Sequence, residues 1–262
     1  MFSIYSSAFN LTKGGFNYAA VKQFSDFVGE DGEVVIAVNT SEDDTADRLW
    51  KESESLKNIR LIFTDFSYED PDLDGKIKNA ALQETTNDFK IGLDLDEYIP
   101  LWQLPIWQSM AASLQWSALD GFFIPTVDLH GSEDKISTIK AKWYLHKAGL
   151  FRGTVNFAKN PDGTHDISKS DSCELIDKDG NLANAEFIMP RHNSFDESLA
   201  LLESGNVPFV VHTGYLDLQR RIKLNKEFWE KQWSVEGGKP AYVAKDIKDL
   251  DKPTVSHKIR IR

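Results

Sequence analysis

An α/β fold with a mainly parallel central sheet, helices on both faces and a smaller antiparallel portion is what this sequence predicts. Three observations predict it. Runs such as Glu33-Val-Val-Ile-Ala-Val38 are continuously apolar, as strands covered on both faces are. These runs alternate with segments whose apolar residues recur at spacings of three and four, the pattern of βαβ units with right-handed crossovers. The chain has 262 residues, 41% of them hydrophobic, which suits one large core better than two small ones.

Phe2 to Ala8 reads as the first strand. Gly14-Gly15 marks a turn, and Phe16 to Phe27 reads as a helix with Ala20, Phe24 and Phe27 on one face. The second strand, Glu33 to Val38, runs into Asn39-Thr-Ser-Glu-Asp-Asp44, where Ser41 is positioned to cap a helix through Trp50 to about Leu56. Ile59 to Phe63 is the third strand, Asp72 to Gly75 a turn, Lys76 to Thr85 a helix, and Phe89 to Leu93 the fourth strand. Beyond residue 100 the pattern changes. Leu101 to Trp116 reads as an amphipathic helix carrying Trp102, Trp107 and Trp116, and Gly121 to Leu129 and Ile139 to Leu145 as strands. Residues 151–190 are rich in turn formers, with hairpin chemistry at Asp177-Lys-Asp179-Gly180. Phe195 to Glu203 is a short helix ended by Gly205, Val207 to His212 a strand, and Asp217 to Trp233 a long basic helix. The expected organisation is one domain over 1–238, with halves 1–100 and 101–238, and a tail over 239–262.

Composition excludes several classes. The formal charge is −11, which disfavours nucleic acid as a partner because duplex affinity needs clustered cations. Basic clusters are local: Arg220, Arg221, Lys223 and Lys226, then Lys258-Ile-Arg260-Ile-Arg262. They read as a solvated helix face and tail, or as a pyrophosphate-facing or membrane-surface patch. No apolar run approaches the ~18–20 residues that cross a bilayer, and no signal peptide is visible. One cysteine, Cys173, excludes an intramolecular disulfide framework, so a reducing, cytoplasmic setting is the default expectation. A phosphate-binding Gly-x-x-x-x-Gly-Lys loop, a Gly-x-Gly-x-x-Gly fingerprint after strand one and a Gly-x-Ser-x-Gly elbow are all missing from the sequence. Calcium-loop spacing fails too, since Ala81, or Pro105 counted from Asp94, stands where the bidentate glutamate belongs.

The most informative segment is Phe89-Lys-Ile-Gly-Leu-Asp94-Leu-Asp96-Glu97. If the strand continues through them, Asp94 and Asp96 project to the same side. Two carboxylates at the carboxyl end of a strand suit a divalent cation whose shell a phosphorylated ligand completes. Ser6 and Asn39 stand near the ends of strands one and two, where a nucleotide would lie.

Gly75-Lys-Ile-Lys78-Asn79-Ala80-Ala81-Leu82-Gln83 followed by the Asp-x-Asp strand resembles the GT-A glycosyltransferases, particularly the inverting, family-two-like group. Phe195-Asp196-Glu197-Ser198-Leu199 and Val210-Val211-His212-Thr213-Gly214-Tyr215 look like the second half of that pattern in small transferases of bacterial or viral surface glycans. The resemblance spans roughly residues 2–235. It implies a GT-A, Rossmann-like fold and inverting transfer of a hexose from a nucleotide diphosphate sugar, UDP-linked as first guess, to a glycan hydroxyl. It implies Mn²⁺ or Mg²⁺ held by Asp96 and His212, with Asp94 on the metal or ribose. Glu197 is the implied general base, with Asp196 in reserve because the family's His-Glu pair is Asp-Glu here. Lys78 and Arg220 are candidates for the diphosphate, Ser6 and Asn39 for base or ribose. The tryptophans are core residues or platforms for acceptor sugars. Two other readings stand beside this one: a nucleotidyltransferase, of whose glycine-rich signature Lys13-Gly14-Gly15 is a faint echo, and a non-catalytic glycan-binding module.

Overall fold

The computed structural model describes residues 1–12, 18–67, 73–137, 149–152, 156–158, 174–176, 183–189, 193–218, 220 and 254–262. The amino-terminal half alternates as expected: β1 (Phe2–Ala8), α1 (Ala19–Val28), β2 (Glu33–Asn39), α2 (Thr45–Ser53), β3 (Ile59–Thr64), α3 (Leu73–Gln83) and β4 (Phe89–Gly92). The remainder comprises β5 (Glu97–Tyr98), a 3₁₀ turn at Leu101–Gln103, α4 (Leu104–Gln115), β6 (Gly121–Phe123), β7 (Thr126–His130), β8 (Lys135–Ser137) and β9 (Gly149–Arg152). It continues through β10 (Asn156–Ala158), β11 (Glu174–Ile176), β12 (Ala185–Phe187), α5 (Phe195–Glu203), β13 (Val210–Tyr215) and β14 (Thr254–Ser256).

The first sheet has the order β12-β6-β9-β4-β1-β2-β3. β1 pairs parallel with both β2 and β4, and β2 with β3, so four strand ends share one edge. β9 enters antiparallel between β4 and β6. Both faces are covered, which is why β2 has no polar alternation. Ile4, Val34, Ile36 and Val38 pack with Phe24 and Phe27 of α1 and Trp107 of α4 on one side. Tyr5, Val35 and Ala37 pack with Leu73, Ile77 and Ala81 of α3 on the other. The second sheet, β14-β8-β7-β13-β5, closes over a smaller core of Val127, Leu129, Phe209, Val211 and Leu202. The mainly parallel α/β architecture is thus the one expected, and the smaller sheet, expected to be antiparallel, is mixed because β7 and β13 pair parallel.

Glu33 ties the amino end of the first sheet together. Its carboxylate accepts from Ser3 Oγ (2.7 Å), Thr86 Oγ1 (2.8 Å) and the amides of Thr86 and Asn87. Burial by itself would push the carboxyl up, but the donors from Thr86, Ser3 and Asn87 outweigh it and hold it below the ordinary glutamate value. A depressed folded value means stability that is present above the unfolded value of about 4.3 and lost as pH falls through the folded one. Glu33→Gln is therefore expected to cost about 1 kcal/mol at pH 7 and to flatten the acid limb of a melting-temperature profile below pH ~4.5. An acid limb identical to that of the parent chain would show the carboxylate has no such role.

Three sequence expectations are corrected here. Gly121 to Leu129 is two strands in two sheets, because Pro125 between β6 and β7 offers no amide to a ladder. Ser41 does not cap α2. Its hydroxyl donates to Asn39 O (2.9 Å) and accepts from Asn10 N (3.1 Å), while Asp44 occupies the cap position. The carboxyl-terminal residues 254–262 are not a solvated tail: β14 pairs with β8, and Ile259 and Ile261 are buried in the smaller core. Apolar residues alternating with basic ones, Ile259-Arg-Ile261-Arg, put one face inward and leave the cations outside, where Arg262 pairs with Glu133. The strand expected at Ile139 to Leu145, the turn at Asp177 to Gly180, and the helix beyond Arg220 lie outside the described residues.

Candidate active site

β4 ends at Gly92, earlier than the Asp-x-Asp, yet Leu93 N still donates to Tyr5 O of β1 (3.1 Å). The in–out alternation also outlives the ladder. Leu93 and Leu95 go into the core, whereas Asp94 and Asp96 stay partly exposed on the other side. A turn then fixes the loop: Glu97 N donates to Asp94 O (2.9 Å), and the buried Glu97 carboxylate accepts from Asp94 N (2.9 Å). The two aspartates nevertheless reach different partners. Asp94 Oδ1 lies 3.1 Å from Lys78 Nζ, an ammonium that α3 delivers from a largely buried position. Asp96 Oδ2 lies 3.2 Å from His212 Nε2, 116 residues away in sequence.

β13 brings His212 there. It runs antiparallel to β5 and parallel to β7, so His212 faces Glu97 on one neighbour and Asp128 on the other. Asp128 Oδ1 meets His212 Nδ1 at 2.7 Å. Thr213 clamps the other side of the loop, donating both its amide and its hydroxyl to Asp96 O at 2.8 Å each. Between His212 and Tyr215 the register of β13 and β7 shifts, the kind of bulge that re-aims side chains near sites. Gly214 sits in that irregularity. A Cβ there would lie 2.6 Å from His212 Nε2 and 2.7 Å from Asp96 Oδ2.

The imidazole is thus flanked by two carboxylates in a mostly buried position. Burial works against its charge, but the charge of Asp96, the hydrogen bonds to Asp128 and Asp96, and the charge of Asp128 prevail and hold His212 well above the ordinary histidine value. A metal binding at Nε2 would have to displace a proton.

The remaining candidates are placed as follows. Ser6 is fully buried within β1, in line with Ile36 of β2. Asn39 closes β2 and spends its amide on the neighbouring strand end: Nδ2 donates to Phe66 O (3.0 Å), and Oδ1 accepts from Phe66 N (2.8 Å) and Thr64 Oγ1 (2.9 Å). That is a turn-holding role. The loops after β1 and β2 are clasped at the same edge, with Leu11 N donating to Thr45 Oγ1 (2.7 Å) and Glu42 N to Asn10 Oδ1 (2.9 Å). Asn10 takes the left-handed conformation (φ 47°) that this crossing requires. Arg220 N donates to Asp217 Oδ1 (3.0 Å) beyond β13.

Glu197 stands at the third position of α5 in a capping box. Its carboxylate accepts from Ser194 N (2.7 Å) and Ser194 Oγ (2.8 Å), while Ser194 Oγ accepts from Glu197 N. Asp196 is exposed in the same first turn. The tryptophans do not share a platform. Trp107 is in the core, Trp116 is exposed, and Trp102 donates to Arg260 O (2.9 Å) while the Arg260 guanidinium lies 5.4 Å from its ring.

Asp128 is the site residue that sequence reasoning missed. Its signal was a lone carboxylate inside the apolar strand Thr126-Val-Asp-Leu-His130. Of the expected metal set, Asp96 and His212 meet directly, while Asp94 Oδ1 lies against Lys78 Nζ. Among the described residues no three His, Cys, Asp or Glu side chains gather as metal ligands. The pair Asp96 and His212 does fit a divalent cation. One carboxylate oxygen and one imidazole nitrogen suit Mn²⁺, and Gly214 leaves space beside both atoms. The rest of the shell would come from a ligand's phosphates and water.

No known protein-family profile and no curated protein matches the chain. Solved structures do. The S. aureus TarS 1–349 structure matches with 15% identity and a TM-score of 0.44, over 95% of this chain and 79% of that one. The same protein in complex with UDP-GlcNAc gives 16%, 0.46, 89% and 72%, and S. aureus TarS without that truncation is covered over only 43%. Glucosyl-3-phosphoglycerate synthase from Mycobacterium tuberculosis, in complex with Mn²⁺, UDP and phosphoglyceric acid, matches over 50% of this chain and 43% of that one, with 18% identity and a TM-score of 0.32.

Proposed function

We propose that this chain is a metal-dependent, inverting glycosyltransferase of the GT-A kind, moving a hexose from a nucleotide diphosphate sugar, UDP-linked as first choice, to a glycan hydroxyl. The observation that carries this reading is the meeting of Asp96 and His212 at 3.2 Å, at the carboxyl edge of a parallel sheet. Open α/β sheets bind their ligands at that edge. Asp96 and His212 would hold Mn²⁺ or Mg²⁺, which when bound supplies positive charge to the diphosphate of the donor. Lys78, held beside this loop by Asp94, and Arg220 are the protein's own cations for the same diphosphate.

In the transfer, the acceptor oxygen attacks the anomeric carbon from the face opposite the nucleotide. The carbon–oxygen bond to the diphosphate breaks, and the acceptor's proton passes to a carboxylate. Glu197 is the proposed base, with Asp196 as the alternative. Glu197→Gln separates these roles, because glutamine preserves a capping box while losing the basicity. The expected result is an unchanged melting temperature, retained donor binding, and turnover reduced ~100-fold or more. Near-normal turnover would move the base to Asp196 or elsewhere.

The reading as a whole is tested by thermal-shift screening against nucleotide sugars with and without Mn²⁺, followed by product analysis. A selective, Mn²⁺-dependent shift identifies base and sugar together. Free nucleoside diphosphate as product supports sugar transfer. Pyrophosphate would support a nucleotidyltransferase instead, and metal-independent glycan binding without turnover a binding module.

A further inference from the structure

We infer that Asp128 is the positioning residue for the metal-binding histidine, setting both the ring orientation of His212 and the nitrogen that it offers. This rests on the reading of Asp96 and His212 as metal ligands. The parallel register of β7 and β13 places Asp128 directly across from His212, so the contact is built into the ladder rather than left to a loop. Asp128 Oδ1 to His212 Nδ1 is 2.7 Å, and the Asp128 side chain is only 10% exposed. That bond keeps a hydrogen on Nδ1 and turns Nε2 toward Asp96. A carboxylate behind a ligating histidine fixes its tautomer and raises its basicity. The edge-on packing of the Tyr215 ring, with centroids 5.5 Å apart, restrains the imidazole from another direction.

Val127 and Leu129 turn to the smaller core, so Asp128 lies on the opposite face of β7, where its largely buried carboxylate is matched by the imidazole. Asp128 acts through His212 and touches neither donor nor acceptor in this assignment.

The test is Mn²⁺ affinity of the metal-free protein, measured from the free Mn²⁺ signal in electron paramagnetic resonance titrations. Asp128→Ala is expected to weaken Mn²⁺ binding 10–100-fold. Asp128→Asn, whose amide oxygen still accepts from Nδ1, is expected to lose only several-fold. The decisive comparison is the double variant with His212→Ala. If Asp128 acts through the imidazole, Asp128→Ala adds no further loss on the His212→Ala background, whereas a general structural role would add its own.

Undiminished Mn²⁺ affinity in Asp128→Ala, with affinity lost in His212→Ala, would overturn this inference and leave the metal reading intact. Loss that is additive in the double variant would also overturn it. A parent chain that binds no Mn²⁺ would remove the metal reading and this inference with it. Should Asp128→Ala fail to fold, Asp128→Asn decides: unchanged affinity there overturns the inference.

Discussion

Asp96→Ala and His212→Ala are each expected to abolish Mn²⁺-dependent donor binding, lowering affinity in the presence of the metal by ~100-fold or more while leaving metal-independent binding near its parent value. Among the described residues, Asp96 and His212 are the pair proposed to hold the metal, with Asp94 engaged by Lys78. Neither atom replaces the other: a lone carboxylate or a lone imidazole holds a divalent ion weakly. Thr213 would still pin the Asp96 backbone through its carbonyl in the alanine variant, so the loop keeps its course and the loss reads the side chain. Calorimetric titration with UDP, with and without Mn²⁺, measures this. Undiminished Mn²⁺-dependent affinity in both variants would sink the metal assignment.

Gly214→Ala has the next largest expected effect, and it comes from one methyl group. The Cβ would stand 2.6 Å from His212 Nε2 and 2.7 Å from Asp96 Oδ2, inside contact distance of both proposed ligand atoms. The His212 imidazole is held from behind by Asp128, and the backbone that carries Asp96 is held by Thr213 and Glu97. Relief therefore requires displacing one of them. Overpacking of this kind costs about 1–3 kcal/mol, and a misplacement of about 1 Å at a reacting centre can cost on the order of 100-fold in rate. The expected outcome is a lower melting temperature together with loss of Mn²⁺-dependent transfer. A variant with parent-like turnover would show that the space beside these atoms is not used.

The sequence determined the parallel core because local pattern and burial agree there. A run such as Val34 to Val38 can be satisfied only between two covered faces, and the structure supplies α1 and α4 on one and α3 on the other. The same holds for Phe195 to Glu203, whose Ser194 and Glu197 carry their own capping signal. The carboxyl-terminal residues 254–262 depart from the expected tail because their charge is legible in the sequence and their partners are not. Basic residues suggest solvent, but alternate isoleucines need a core, and that core is assembled from β7, β8, β13 and α5. Pro125 was visible, yet that it divides one apolar run between two sheets depends on what each half pairs with.

At the site, the resemblance to the GT-A transferases carried by two separated segments implied Asp94, Asp96 and His212 as a set. Tertiary structure alone decided how that set is divided: Asp94 to Lys78, Asp96 to His212, and Asp128 behind the imidazole. The physical reason is that a strand's side-chain direction is local, fixed by a period of two, whereas register between strands distant in sequence is settled by the packing of whole sheets. Which carboxylate an imidazole meets is a matter of register.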